Sequence, residues 1–135
     1  MTKSIQLTDL TLRDGNQSIA ATRMTREQTL RILPMLQRAG YTRMELWGGA
    51  ILDSCIRFLN EDPWERLEAY ARILGGSGKI QALLRGQNLF AYQPYPDDLV
   101  ISFVKQAVES GVGVMRIFDA LNDERNLTIA LLATK

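Results

Sequence analysis

The stretch Thr8-Asp9-Leu10-Thr11-Leu12-Arg13-Asp14-Gly15-Asn16-Gln17-Ser18 joins an apolar-alternating run to a knot of polar side chains. Ile5, Leu7, Leu10 and Leu12 predict a β-strand over about residues 4–12. A cation, a carboxylate and an amide (Arg13, Asp14 and Gln17) follow where that strand ends. In a (βα) barrel this is where active sites are built. Asp14 has the hard oxygen that suits a divalent metal, and Arg13 and Gln17 have donors that suit an anionic substrate. An ordinary surface ion pair between Arg13 and Asp14 is the plainer alternative, so the rest of the chain has to decide.

Outward from this stretch the chain alternates strand and helix four times. Thr25 and Gln28 predict a capping box that opens a helix running to about Ala39, with Pro34 inside it as an expected kink. A short strand is predicted at about Arg43–Trp47, ending in Gly48-Gly49, a turn where a ligand could approach the backbone. A short helix is expected over about residues 51–59. Asp62-Pro63-Trp64-Glu65 then starts another, with Asp62 as N-cap, Pro63 at the first helical position and Glu65 closing the box. Strand three is placed at about Lys79–Leu84, followed by Arg85-Gly86-Gln87-Asn88. A helix of about Asp97–Ser110 presents Leu99, Val100, Phe103, Val104, Ala107 and Val108 as one apolar face. Strand four, Val114–Phe118, carries Arg116 and ends at Asp119, and Asn122 or Asp123 caps a last helix to Lys135.

Strand starts recur about every 35 residues, the length of a βα unit. Such alternation predicts an α/β fold with a parallel sheet, the first four βα units of a TIM (β/α)8 barrel, which takes about 250 residues in full. An open, doubly wound four-stranded domain is the structural alternative.

Composition narrows the function classes. The 135 residues are 46% hydrophobic and 23% charged with a net charge of +1, so no electrostatic case exists for nucleic acid or an anionic membrane. No apolar run approaches the roughly 18 residues that span a bilayer, and no signal-peptide core opens the chain. The single cysteine, Cys55, lies in an apolar-periodic stretch and suits a reducing cytosol, so a buried thiol and a cytoplasmic protein are expected. There is no histidine, which leaves metal ligation to carboxylates and proton transfer to other side chains. Gly75-Gly76-Ser77-Gly78-Lys79 is not a phosphate loop, because position 73 is Ile and the glycines precede a strand instead of following one.

Four motifs, in order, carry a resemblance: Thr8–Met24 (TDLTLRDGNQSIAATRM), Leu46–Leu67 (LWGGAILDSCIRFLNEDPWERL), Leu83–Tyr92 (LLRGQNLFAY) and Arg116–Asp123 (RIFDALND). Together they resemble the carboxyltransferase domain of biotin-dependent enzymes, among them pyruvate carboxylase, the oxaloacetate decarboxylase α subunit and the transcarboxylase carboxyl-transfer subunit. The resemblance covers nearly all of residues 1–135 and implies the N-terminal half of a TIM-barrel metalloenzyme. Such an enzyme moves CO2 between carboxybiotin and pyruvate or oxaloacetate. By the resemblance, Asp14 is a ligand of a divalent metal (Zn, Co or Mn), and Arg13, Gln17 and Arg85 line the pyruvate and biotin pocket. Asp53 and Tyr92 resemble residues beside the biotin ring.

The sequence departs from the family in two respects. The family reads Asp-Ala-His-Gln-Ser where this chain has Asp14-Gly15-Asn16-Gln17-Ser18, so Asn16 replaces a histidine. The family's other metal ligands (a carbamylated lysine and two histidines), a catalytic threonine and the Met-Lys-Met biotin-carrier segment have no counterpart in these residues. The expected partners are therefore the missing half-barrel, a biotin carrier domain and pyruvate or oxaloacetate, and the isolated chain is expected to be inactive. Two other readings fit the same residues. One is a non-catalytic half-barrel that closes on a second copy of itself. The other is a related metal-dependent lyase or acyl-CoA condensing enzyme sharing Thr11-Leu12-Arg13-Asp14-Gly15.

Overall fold

Four strands lie side by side in chain order, β1 (Thr8–Asp9), β2 (Arg43–Gly48), β3 (Ile80–Leu84) and β4 (Val114–Ile117), and each adjacent pair is parallel. This computed structural model describes residues 5–135, apart from the side chain of Ser77. The unbroken order decides between the two architectures considered above. A doubly wound sheet reverses its strand order at a switch point, whereas right-handed crossovers in monotonic order put every helix on one face. The sheet is thus an arc of a (βα) barrel.

Between the strands run α1 (Asn16–Ala20), α2 (Arg26–Arg38), α3 (Gly49–Ser54), α4 (Pro63–Leu74), α5 (Asp97–Glu109) and α6 (Glu124–Ala133). Their ends follow local chemistry. The Thr25 hydroxyl accepts from the Gln28 N–H while the Gln28 side chain accepts from the Thr25 N–H, the capping box expected for α2. The helix is continuous through Pro34 to Arg38. Asp62 caps α4 by accepting from the N–H groups of Trp64 and Glu65. Glu65 closes no box; its carboxylate turns to Arg26 of α2 instead. Asp123, not Asn122, caps α6.

Strand one differs most from expectation. Only Thr8 and Asp9 pair with β2; Ile5 and Leu7 are exposed, and residue 4 lies outside the described residues. The cause is the Asp9 carboxylate, which accepts from the Thr11 N–H at 3.1 Å and its hydroxyl at 2.8 Å. This local side-chain bonding ends the ladder. The chain then winds into a wide turn over Thr11–Gly15, where the N–H groups of Arg13, Asp14 and Gly15 all converge on the Leu10 carbonyl.

The helix-side face of the sheet is apolar. Met44, Ile80, Ala82 and Leu84 are buried in one core with Leu67, Leu74, Val100, Val104 and Ala107. The α5 stripe is narrower than its sequence suggests, since Leu99 and Val108 remain about half exposed. The Gly48-Gly49 turn also corrects the sequence reading. Added Cβ atoms there would meet Leu83 O at 2.9 Å and Phe90 Cβ at 2.6 Å, so these glycines admit neighbouring chain, not a ligand. Trp47 likewise points into the helix layer, packed at a tilt against Trp64 and Phe103 with its indole N–H donated to the Pro63 carbonyl.

Candidate active site

The opposite face of the sheet, which would be a barrel's interior, carries a polar cluster. Glu45 of β2 is fully buried and aligns with Gln81 of β3, next to a register shift between Glu45 and Trp47. Bulges of this kind re-aim side chains beside functional sites. Glu45 Oε1 accepts from Arg13 Nε at 2.6 Å and lies 2.5 Å from Arg13 Nη2. Its Oε2 accepts from Gln81 Nε2 at 2.6 Å and from Arg116 Nη1 at 3.2 Å. Arg13 in turn reaches Asp14 Oδ1 at 2.9 Å and approaches Gln17 Oε1 at 3.5 Å. A buried carboxylate with both oxygens occupied thus fixes the guanidinium beneath the rim, and that guanidinium touches two of the rim's candidate residues. The surface-pair alternative holds only for Asp14, which is 54% exposed; Arg13 is buried.

Sequence reasoning missed Glu45. The signal was present: a lone carboxylate in the otherwise apolar run Met44-Glu45-Leu46-Trp47 has to find a buried cation.

At the strand ends a cavity of about 390 Å³ opens, and Gln17, Asp53, Arg85 and Tyr92 all line it. They come from α1, α3 and the loop after β3, so four of the six candidate residues converge although up to 75 positions separate them in sequence (Gln17 to Tyr92). Arg13 and Asp14 do not line it; they sit next to it through Gln17. Asp53 is held by Arg57 at 2.7 Å, and Tyr92 is almost fully exposed at the mouth. Arg85 also lines a second cavity of about 380 Å³ with Asn88, Phe118, Asp119 and Asn126.

Other strand-end groups serve the scaffold. Gln87 donates to the Tyr95 carbonyl and to Asp97, tying the loop after β3 to α5. Asp119 accepts from the N–H groups of Asp123 and Leu121 and from Asn126, and those backbone bonds hold its carboxyl below the ordinary carboxylate range. Asn16, at the family's histidine position, is buried; it accepts from the Met24 N–H and ties α1 to the segment after it.

Asp14 alone does not make a metal site. Among the described residues no group of three or more His, Cys, Asp or Glu side chains comes together, and metal sites in proteins use about that many ligands. The cavity's volume falls in the range of about 300–1,000 Å³ typical of small-molecule sites, and Asp53, Tyr92 and Arg85 place an acceptor, a hydroxyl and a donor fork on its wall.

A parallel βα arc with a cavity at its strand ends defines the class: a segment of a TIM barrel. No family model matches the chain. In sequence it is 48% identical over 133 residues to the methylmalonyl-CoA carboxyltransferase 5S subunit of Propionibacterium freudenreichii subsp. shermanii, covering 98% of this chain and 26% of that protein. It is 50% identical over 131 residues to a pyruvate carboxylase subunit of Methanocaldococcus jannaschii, covering 97% of this chain and 23% of that one. In structure it superposes on the carboxyl transferase domain of Rhizobium etli pyruvate carboxylase, solved with oxamate and biotin, with a TM-score of 0.89 and 41% identity. That match covers 98% of this chain and 22% of the other. Nearly the whole chain is therefore homologous to a segment of these carboxyltransferases, and it spans about a quarter of the length of the curated relatives it matches. No helix is long and apolar enough to cross a membrane among the described residues.

Proposed function

We propose that residues 1–135 form the N-terminal half of a biotin-dependent carboxyltransferase barrel, acting in the cytoplasm, whose rim moves a carboxyl group between biotin and pyruvate or oxaloacetate. The observation that carries this reading is the convergence of Gln17, Asp53, Arg85 and Tyr92 on one cavity at the strand ends. Gln17 and Arg85 hold the carboxylate of the 2-oxo acid by directional hydrogen bonds. Asp53 and Tyr92 orient the ureido ring, whose nitrogen carries the carboxyl group when biotin is bound. Arg13, held by Glu45, keeps a fixed positive charge under the rim. It favours the negative charge that develops on the keto oxygen as pyruvate gives up a methyl proton to an acceptor supplied by the other half of the barrel.

Asp14 contributes one carboxylate to a divalent metal whose other ligands come from outside these residues. The remaining barrel strands cover the free edges of β1 and β4 and the apolar residues near them, Ile5 and Leu7 at one end and Leu131 and Leu132 at the other. A biotin carrier domain delivers the ring.

A chimera tests this reading. Residues 5–135 replace the matched segment of the Propionibacterium 5S subunit, and pyruvate-dependent carboxyl transfer is assayed beside the isolated chain. The chimera is expected to turn over and the isolated chain to be inert with oxaloacetate and free biotin. Turnover by the isolated chain, or a folded chimera without any transfer, would overturn it.

A further inference from the structure

Arg23 lies on the wall of the 390 Å³ cavity and has none of the assignments above. Its backbone is set by an unusual turn. Ala21 and Thr22 both adopt left-handed conformations, at φ 47° and 59°, and Thr22 is a β-branched residue for which this is an outlier. The turn is pinned on both sides of Arg23. The Thr22 N–H donates to the Asn16 carbonyl at 2.9 Å, the Thr22 carbonyl accepts from the Ser54 hydroxyl at 2.7 Å, and the Met24 N–H donates to Asn16 Oδ1.

The exposed side chain is held at two points. Arg23 Nη1 donates to Ser54 Oγ at 3.2 Å, and the guanidinium carbon sits 3.2 Å above the centroid of the Phe58 ring. The Ser54 hydroxyl gives its only proton to Thr22, so the lone pair it turns to Arg23 matches a cation. A stacked, hydrogen-bonded guanidinium is a pre-organised anion donor.

The charge balance of the cavity shows what this donor lacks. Arg23, Arg57 and Arg85 line the cavity with a single carboxylate, Asp53, and Asp53 is paired with Arg57. Among the described residues, neither Arg23 nor Arg85 has a carboxylate within ion-pair distance. Two guanidinium groups thus face one concave space with no counter-charge of their own.

We propose that Arg23 is a specificity-determining residue of this cavity: it reads the negative charge of a bound carboxylate and so favours a carboxylated ligand over its neutral form. The assignment rests on the carboxyl-transfer reading, in which a carboxyl group enters and leaves this space. A neutral ureido ring gains little from Arg23, whereas the same ring bearing a carboxylate gains a charge-assisted hydrogen bond. The cavity therefore holds the charged donor and lets the discharged ring go.

The experiment titrates the 135-residue chain with oxamate, a stable planar carboxylate, and with methyl oxamate, its uncharged ester, following the amide shifts of Thr22–Met24 and Ser54. Oxamate is expected to saturate these shifts and the ester to leave them unmoved. R23A should weaken oxamate by about five- to tenfold, the size of one charge-assisted hydrogen bond at a partly exposed site, and R23K should recover part of it. Circular dichroism melts check that each variant is folded, and R23Q takes the place of R23A if the latter is not.

Oxamate and ester binding alike, no oxamate binding, or a folded R23A or R23Q that binds as wild type would each overturn the proposal. A folded 5S chimera that transfers no carboxyl group, alongside an oxamate titration that depends on Arg23, would instead overturn the carboxyl-transfer reading and leave the anion site standing.

Discussion

Glu45 Oε1 lies 2.6 Å from Arg13 Nε and 2.5 Å from Arg13 Nη2, and both side chains are buried. A buried pair of this kind adds little over an apolar replacement, but losing one partner strands a charge in the interior. Glu45→Gln keeps the shape and removes the charge that Arg13 requires, so it should destabilise the chain by about 3 kcal/mol or more. Arg116 holds the same carboxylate from a side chain that is 48% exposed. Arg116→Ala should therefore cost about 1 kcal/mol or less. Urea unfolding of the two variants checks the contrast; equal midpoints would show that Glu45 is not the keystone of this face.

The helix layer was legible in the sequence because its signals are local. Thr25 with Gln28, and Asp62 with Pro63, cap the helices they announce, and the apolar periodicity of α5 picks out the buried Val100, Phe103, Val104 and Ala107. What escaped was decided by contacts across the chain. Strand one ended early because Asp9 bonds Thr11, a competition that the alternation of leucines hides. The run around Glu45 announces a buried carboxylate, but its partners, Arg13, Gln81 and Arg116, come from three other parts of the chain. Arg23 escaped because nothing in Ala21-Thr22-Arg23 signals a left-handed turn, which needs Asn16 and Ser54 to hold it.

Gly49 should be intolerant of a side chain. A Cβ there would sit 2.6 Å from Phe90 Cβ, 2.7 Å from Phe90 Cα and 2.9 Å from the Leu89 carbonyl, so the helix start and the loop after β3 would have to part. Gly49→Ala is expected to cost about 1–3 kcal/mol, the usual penalty of overpacking. Gly78→Ala, with nothing within 4 Å, should stay within about 0.5 kcal/mol of wild type. Thermal melts of the two variants read the difference, and matching melting temperatures would sink the close-packing account of the Gly-Gly turn.

The fold should lose stability on the alkaline side. Burial raises the Cys55 thiol from its ordinary 9.0 and the Tyr70 hydroxyl from its ordinary 10.0, and Arg66 beside them only partly opposes this. As pH climbs past 9.0 the unfolded chain gives up these protons before the folded one does. Stability that is intact below that pH is then lost as pH rises towards the folded values. Melting temperatures between pH 7 and about 10.5 should fall, and Cys55→Ala should flatten the first part of the fall. The same burial should keep the thiol unreactive towards alkylating agents at neutral pH. A flat profile, or fast alkylation of the folded chain, would contradict the buried-thiol account.

Asp14 separates what this chain holds from what a complete barrel would hold. Its side chain is 54% exposed and, among the described residues, its one ion pair is with Arg13 at 2.9 Å, an arrangement that adds little stability. Asp14→Ala in the isolated chain should shift the unfolding midpoint by less than about 1 kcal/mol. It should leave metal content unaltered, since no cluster of ligands comes together among the described residues. In the 5S chimera the same substitution removes one of about three protein ligands, so stoichiometric metal should be lost after dialysis. Elemental analysis of the two dialysed proteins decides the matter: metal retained by the Asp14→Ala chimera would take Asp14 out of the centre and leave it a rim partner of Arg13.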